Sequence, residues 1–125
     1  MTKYKYRIIG MKKQWRFDLL PNNSNTQYVA CSGIYDSFDK ARSGIDSFKH
    51  YMKNIEKEEN PNIEIVDVSS GKTELWIGYM YFSNCEKVET RKHSKYETEK
   101  ALVRVKNNFM ANFRQDLCIE KELGK

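Results

Sequence analysis

Near its start the chain reads Lys3-Tyr4-Lys5-Tyr6-Arg7-Ile8, an alternation of cation and hydrophobe. Neighbouring side chains of a strand point to opposite faces, so this predicts a half-buried strand. Tyr4, Tyr6 and Ile8 take one face, and Lys3, Lys5 and Arg7 take the other. Trp15, Phe17 and Leu19 alternate again in a second strand. Pro21-Asn22-Asn23-Ser24-Asn25 is a turn cluster. Residues 28–35 predict a third strand, with Gly33 as a bulge. The period then changes. Phe38, Ala41, Ile45, Phe48, Met52 and Ile55 follow one another at intervals of 3 or 4, the single apolar stripe of an amphipathic helix. Ser37 is its expected N-cap, and Glu56 to Pro61 its end. Residues 62–68 predict a strand and Ser69-Ser70-Gly71-Lys72 a turn.

The second half repeats this order. Residues 74–83 and 87–96 predict strands joined by a turn at 84–86. Thr98 is the expected cap of a second helix with Ala101, Leu102, Val105, Phe109 and Phe113 apolar, and 116–123 a closing strand with Leu117, Ile119 and Leu123 on one face. Trp15 and Trp76 are 61 residues apart, as are Tyr35 and Tyr96, and Ser37 and Thr98. With one deletion, Lys40-Ala41 then matches Lys100-Ala101, and Ile45 matches Val105. An ordered series of matches with one indel indicates an internal duplication. The expected organisation is one pseudo-symmetric domain, 1–125, with repeat one at about 3–68 and repeat two at about 73–123. A unit of about 60 residues is near the lower limit for a self-sufficient core. Two fused copies join their sheets, hide an edge and bury both helices. The fold class is therefore α+β: tandem β(3)-α-β repeats forming an antiparallel sheet with two helices on one face.

Trp15-Arg16-Phe17, then Val29-Ala30-Cys31-Ser32-Gly33-x-Tyr35-x-Ser37, then Lys40-Ala41-x-x-Gly44-Ile45-x-Ser47-Phe48-Lys49 resembles the YegP-like bacterial domain of unknown function. That family often occurs as a tandem duplication. The resemblance implies a repeated β(3)-α-β unit and covers roughly residues 3–68. The second copy departs from the pattern: Arg104 stands where the first copy has Gly44, and the Ser-Gly before its Tyr is missing. The family implies no catalytic residue.

Charge changes the picture at the N-terminus. The net charge is +5, yet residues 1–17 alone carry six cations and no acid. Such a run attracts phosphate. The plainer reading is a lysine-guarded edge strand. No apolar run reaches the roughly 20 residues that span a bilayer, and the start has no secretory h-region, so a cytoplasmic, non-membrane protein is expected. Three cysteines, Cys31, Cys85 and Cys118, lack paired spacing and read as reduced thiols. His50 and His93 are the only histidines, and no His or Cys pair has ligand spacing, so neither a metal nor a cofactor is expected. No phosphate-cradling glycine motif occurs. Trp15 and Trp76 read as core aromatics.

With no catalytic constellation, the expectation is a small non-enzymatic binding module, an accessory or inhibitor protein acting through protein contacts or self-association. Its interface aromatics would be Tyr4, Tyr6, Tyr79, Tyr81 and Phe82, since tyrosine favours interfaces. The alternatives are nucleic-acid binding along basic strand edges, or sequestration of an anionic small molecule or nucleotide between repeats or protomers. The basic candidates are Lys3, Lys5, Arg7, Arg91, Lys92, Lys95 and Arg104. In the first strand the tyrosines and lysines face opposite ways, so they cannot grip one nucleic-acid strand together.

Overall fold

The computed structural model describes residues 3–55, 62–83 and 86–120. The elements are β1 (Tyr4–Met11), β2 (Gln14–Pro21), β3 (Ala30–Ser32), α1 (Phe38–Ile55), β4 (Asn62–Asp67), β5 (Trp76–Ser83), β6 (Glu86–Thr90), α2 (Lys95–Asn108), β7 (Asn112–Phe113) and β8 (Ile119–Glu120). They form one sheet in the order β4-β5-β6-β3-β2-β1-β7, with β8 also on β1. All pairs are antiparallel except those of β7 and β8, which run parallel to β1. The closing segment at 116–123 is shorter than its pattern predicts. A 3-10 turn takes Gln115–Leu117, β8 follows, and Leu123 lies outside the described residues.

The order is symmetric about its middle. β4-β5-β6 is mirrored by β1-β2-β3, and the copies meet where β3 pairs with β6. There Ala30 faces Thr90, Cys31 faces Glu89 and Ser32 faces Val88. A pseudo-twofold through the Cys31–Glu89 pair therefore relates Ser32 to Thr90. Both hydroxyls do the same work. Phe17 N–H donates to Ser32 Oγ at 2.9 Å, and Gly78 N–H donates to Thr90 Oγ1 at 2.9 Å. Trp15 bridges to Tyr35 and Trp76 to His93 through reciprocal backbone hydrogen bonds. The two tryptophans are thus equivalent in backbone position, but of the two expected core aromatics Trp15 is buried in the core and Trp76 is only half-buried. The chain divides as β-β-β-α twice, with β4, the expected last strand of the first unit, in the place that β1 holds in the other half.

The helices are related in a register different from the expected one. Ser94, not Thr98, caps α2: its hydroxyl accepts the Glu97 N–H at 3.2 Å. Tyr96 lies in α2 rather than in a strand, and Phe113 belongs to β7. Buried Ala41, Ile45, Phe48 and Met52 of α1 correspond to buried Thr98, Leu102, Val105 and Phe109 in the second copy, a constant separation of 57. Gly44 therefore corresponds to Ala101, not Arg104. A Cβ at Gly44 would overlap the Tyr35 ring and hydroxyl, so the glycine lets Tyr35 cross α1. In the second copy His93 replaces Tyr35, and an alanine is tolerated.

One core joins the halves. Phe48 of α1 meets Phe82 of β5 edge-on at 5.1 Å, and Tyr6 Oη donates to the Phe109 carbonyl at 2.7 Å. Burial of these aromatics against both helices is the main driving term. Among the described residues it also leaves the opposite sheet face without a helix.

Candidate binding surface

Residues directly opposite on antiparallel strands share a face. One continuous row crosses the helix-free face: Glu64, Tyr79, Glu89, Cys31, Asp18 and Arg7, from β4 to β1. The two ends of this row differ. In the first copy, residues 22–29 connect β2 to β3 and fold over the face. Lys5 Nζ donates to the Asn22 carbonyl at 3.1 Å and to Asn25 Oδ1 at 2.7 Å, and Arg7 donates to the Asn25 carbonyl. In the second copy only two residues separate β5 from β6.

The basic first strand is therefore not a free phosphate edge. Lys5 and Arg7 are buried, 5% and 6% exposed, and hold the 22–27 loop. Burial pulls the Lys5 ammonium below its ordinary range, helped by Arg114 and Arg7. Lys3 alone of the three is exposed. Nor is β1 an edge, since β7 and β8 cover its outer side. Asp18 is fully buried, with Arg7 Nε on one carboxylate oxygen at 3.1 Å and Arg16 Nε on the other at 3.0 Å. Burial pushes its carboxyl up, opposed by the pull of Arg16 and Arg7. Tyr6 and Phe82, expected at an interface, are core residues at 0% and 4% exposure. They sit on the helix-covered face, and that parity excludes them from a surface role.

The second copy's half of the open face carries Tyr79 and Tyr81, with ring centroids 6.3 Å apart. The Lys87 ammonium lies 4.3 Å from the Tyr79 centroid. Tyr28, near the end of the connection from β2 to β3, has two guanidiniums over its ring, Arg16 at 4.9 Å and Arg91 at 5.5 Å. Sequence reasoning missed Tyr28 and Arg16. Their signal is the long 22–29 connection, which returns Tyr28 to the face that Arg16 occupies. A cavity of about 420 Å³ is lined here by Arg16, Tyr28, Cys31, Glu89, Arg91 and Lys92, among others. Besides buried Asp18, two further carboxylates lie on the same face. Glu64 accepts from Tyr81 Oη at 3.2 Å, and Glu89 stands in the cavity wall.

A second cleft of about 460 Å³ lies between the 21–29 segment of the first copy and α2 of the second. Tyr28, Arg91, His93, Glu97 and Arg104 are among its walls. Tyr28, Arg91 and His93 belong to both cavities. Arg91 also donates to Gln27, and Arg104 Nε donates to Tyr4 Oη at 2.6 Å. The ion pairs of the described residues include neither Arg91 nor Arg104. Lys95 stands apart, its ammonium 5.2 Å from the Trp76 ring.

Among the described residues no group of His, Cys, Asp and Glu has the arrangement of a metal site. Burial pushes the Cys31 thiol up to about 12, so it stays protonated. Cys118 is half-buried and accepts the Ile8 N–H at 3.3 Å. Cys85 lies outside the described residues. No helix of the described residues is long and apolar enough to cross a membrane.

No family model, no curated protein and no solved structure matches this chain.

Proposed function

We propose that this chain is a binding module rather than a catalyst, and that its helix-free sheet face takes single-stranded nucleic acid. The observation that carries this reading is the co-location of Tyr28, Tyr79 and Tyr81 with Arg16, Lys87 and Arg91, all partly exposed, on the sheet face away from the helices. Bases stack on exposed aromatic rings, and neighbouring cations neutralise the phosphates between them. The objection raised by β1, where tyrosine and lysine face apart, does not apply to β5 and β6. Tyr79 and Lys87 sit on the same side. The unpaired Cys31 and Cys118 suit a reducing, cytoplasmic setting.

Fluorescence anisotropy with labelled single-stranded oligonucleotides tests the reading. Binding is expected at low salt. Tyr79→Ala should weaken it by about 1–3 kcal/mol, the worth of one stacked base. Arg91→Ala should weaken it and lower the salt slope by about 0.7 for the lost phosphate contact. No binding at low salt, or binding that ignores both substitutions, would refute the proposal.

A second reading rests on the cleft between the copies, where Arg91 and Arg104 share a wall with Glu97 and neither guanidinium is in an ion pair among the described residues. It takes a small phosphate-bearing ligand there. Thermal stabilisation by millimolar phosphate or nucleoside monophosphate, lost in Arg104→Ala and retained in Tyr79→Ala, would favour it over the first.

A further inference from the structure

The two outer edges of the sheet are treated differently. β1 is covered by β7 and β8, whereas β4, its pseudo-symmetry mate, has β5 on one side and no strand on the other among the described residues. Free edges are ordinarily guarded by lysine, proline, bulges or short length. β4 has six residues in unbroken register with β5, and its sequence, Asn62-Ile63-Glu64-Ile65-Val66-Asp67, contains no lysine or proline, its charges being the two acids Glu64 and Asp67. Ile63 is 41% exposed there. The same edge position in the other half demonstrably accepts a strand.

We propose that β4 is a self-association edge: a second copy adds its own β4 antiparallel to it, across a twofold axis at Ile65. The sequence is self-complementary in this register. Ile65 faces its own mate, Ile63 faces the mate's Asp67, and Glu64 faces the mate's Val66. No two acids stand opposite one another, the arrangement that would destabilise an antiparallel pair. A register centred on Glu64 would oppose two carboxylates and is disfavoured. Ile65 is already packed against the core, so its pairing would extend the core across the axis. The axis is perpendicular to the sheet. Both helix layers therefore stay on one side, and the two open faces become one surface.

Light scattering coupled to size exclusion, without nucleic acid, tests this independently of the binding reading. The wild type should approach twice its 14.8 kDa as concentration rises. Val66→Glu puts a carboxylate opposite the mate's Glu64 at two symmetric places and should weaken the dimer about tenfold. Val66→Lys puts an ammonium there and should strengthen it by a similar factor. The two variants perturb the monomer alike, so a folding defect cannot produce opposite effects. Hydrogen exchange on the wild type should show β4 amides slowing as concentration rises. A monomer throughout, equal effects of both charges, or β4 exchange independent of concentration would overturn the proposal.

Discussion

Asp18 has no exposed surface and two guanidinium partners. Removing one member of a buried ion cluster leaves uncompensated charge, a loss of roughly 3–5 kcal/mol. Asp18→Ala should therefore destabilise the fold by about that amount in urea denaturation. It should also loosen the 22–27 loop, because Arg7 carries that loop as well. Cys31 makes a second residue-scale case. Its thiol is buried and pushed up to about 12. A variant keeping Cys31 as the only cysteine should resist a thiol reagent at pH 8 until denaturant unfolds it. Fast native labelling would contradict the burial. The alternation of β1 gave the faces of Lys5 and Arg7 correctly, but not their burial. Burial depends on a loop 17 to 20 residues away along the chain, and no local period reports it.

At the scale of elements, α2 separates what a pattern reveals from what it conceals. Tyr96 and Thr98 imitate Tyr35 and Ser37 at the same spacing as the tryptophans. The connection into α2 is shorter than the one into α1, so the register slips and His93-Ser94 takes the place of Tyr35 to Ser37. The signal for this was present in Ser94-x-x-Glu97, a capping-box spacing. Ser94→Ala should cost about 1 kcal/mol in thermal or chemical denaturation. Thr98 acts differently: its hydroxyl donates to the Trp76 carbonyl at 3.2 Å inside the core. Gly44 offers a coupled test. Gly44→Ala should destabilise by about 1–3 kcal/mol through overlap with Tyr35. In a Tyr35→Ala background the same change should cost far less, since the obstruction is gone and alanine favours the helix. Additivity of the two would refute the packing argument.

For the whole molecule, duplication was legible because two tryptophans and two helix stripes recur in order. The meeting of the copies through β3 and β6 was not, because non-local strand order leaves no trace in a period. That meeting creates the open face, and unequal β-β connections decide which half of it stays bare. Glu89 lies at its centre beside Tyr79. If phosphates pass there, Glu89→Gln should tighten binding by removing a like charge, whereas a purely structural face would be indifferent.

Chemical-shift mapping of the isotope-labelled chain during titration with a short single-stranded oligonucleotide tests the central claim most directly. The predicted perturbations cluster on Arg16, Tyr28, Tyr79, Tyr81, Lys87 and Arg91, with α1 unaffected. Perturbations confined to the helix side, or none at low salt, would contradict the assignment of the open face as the binding surface.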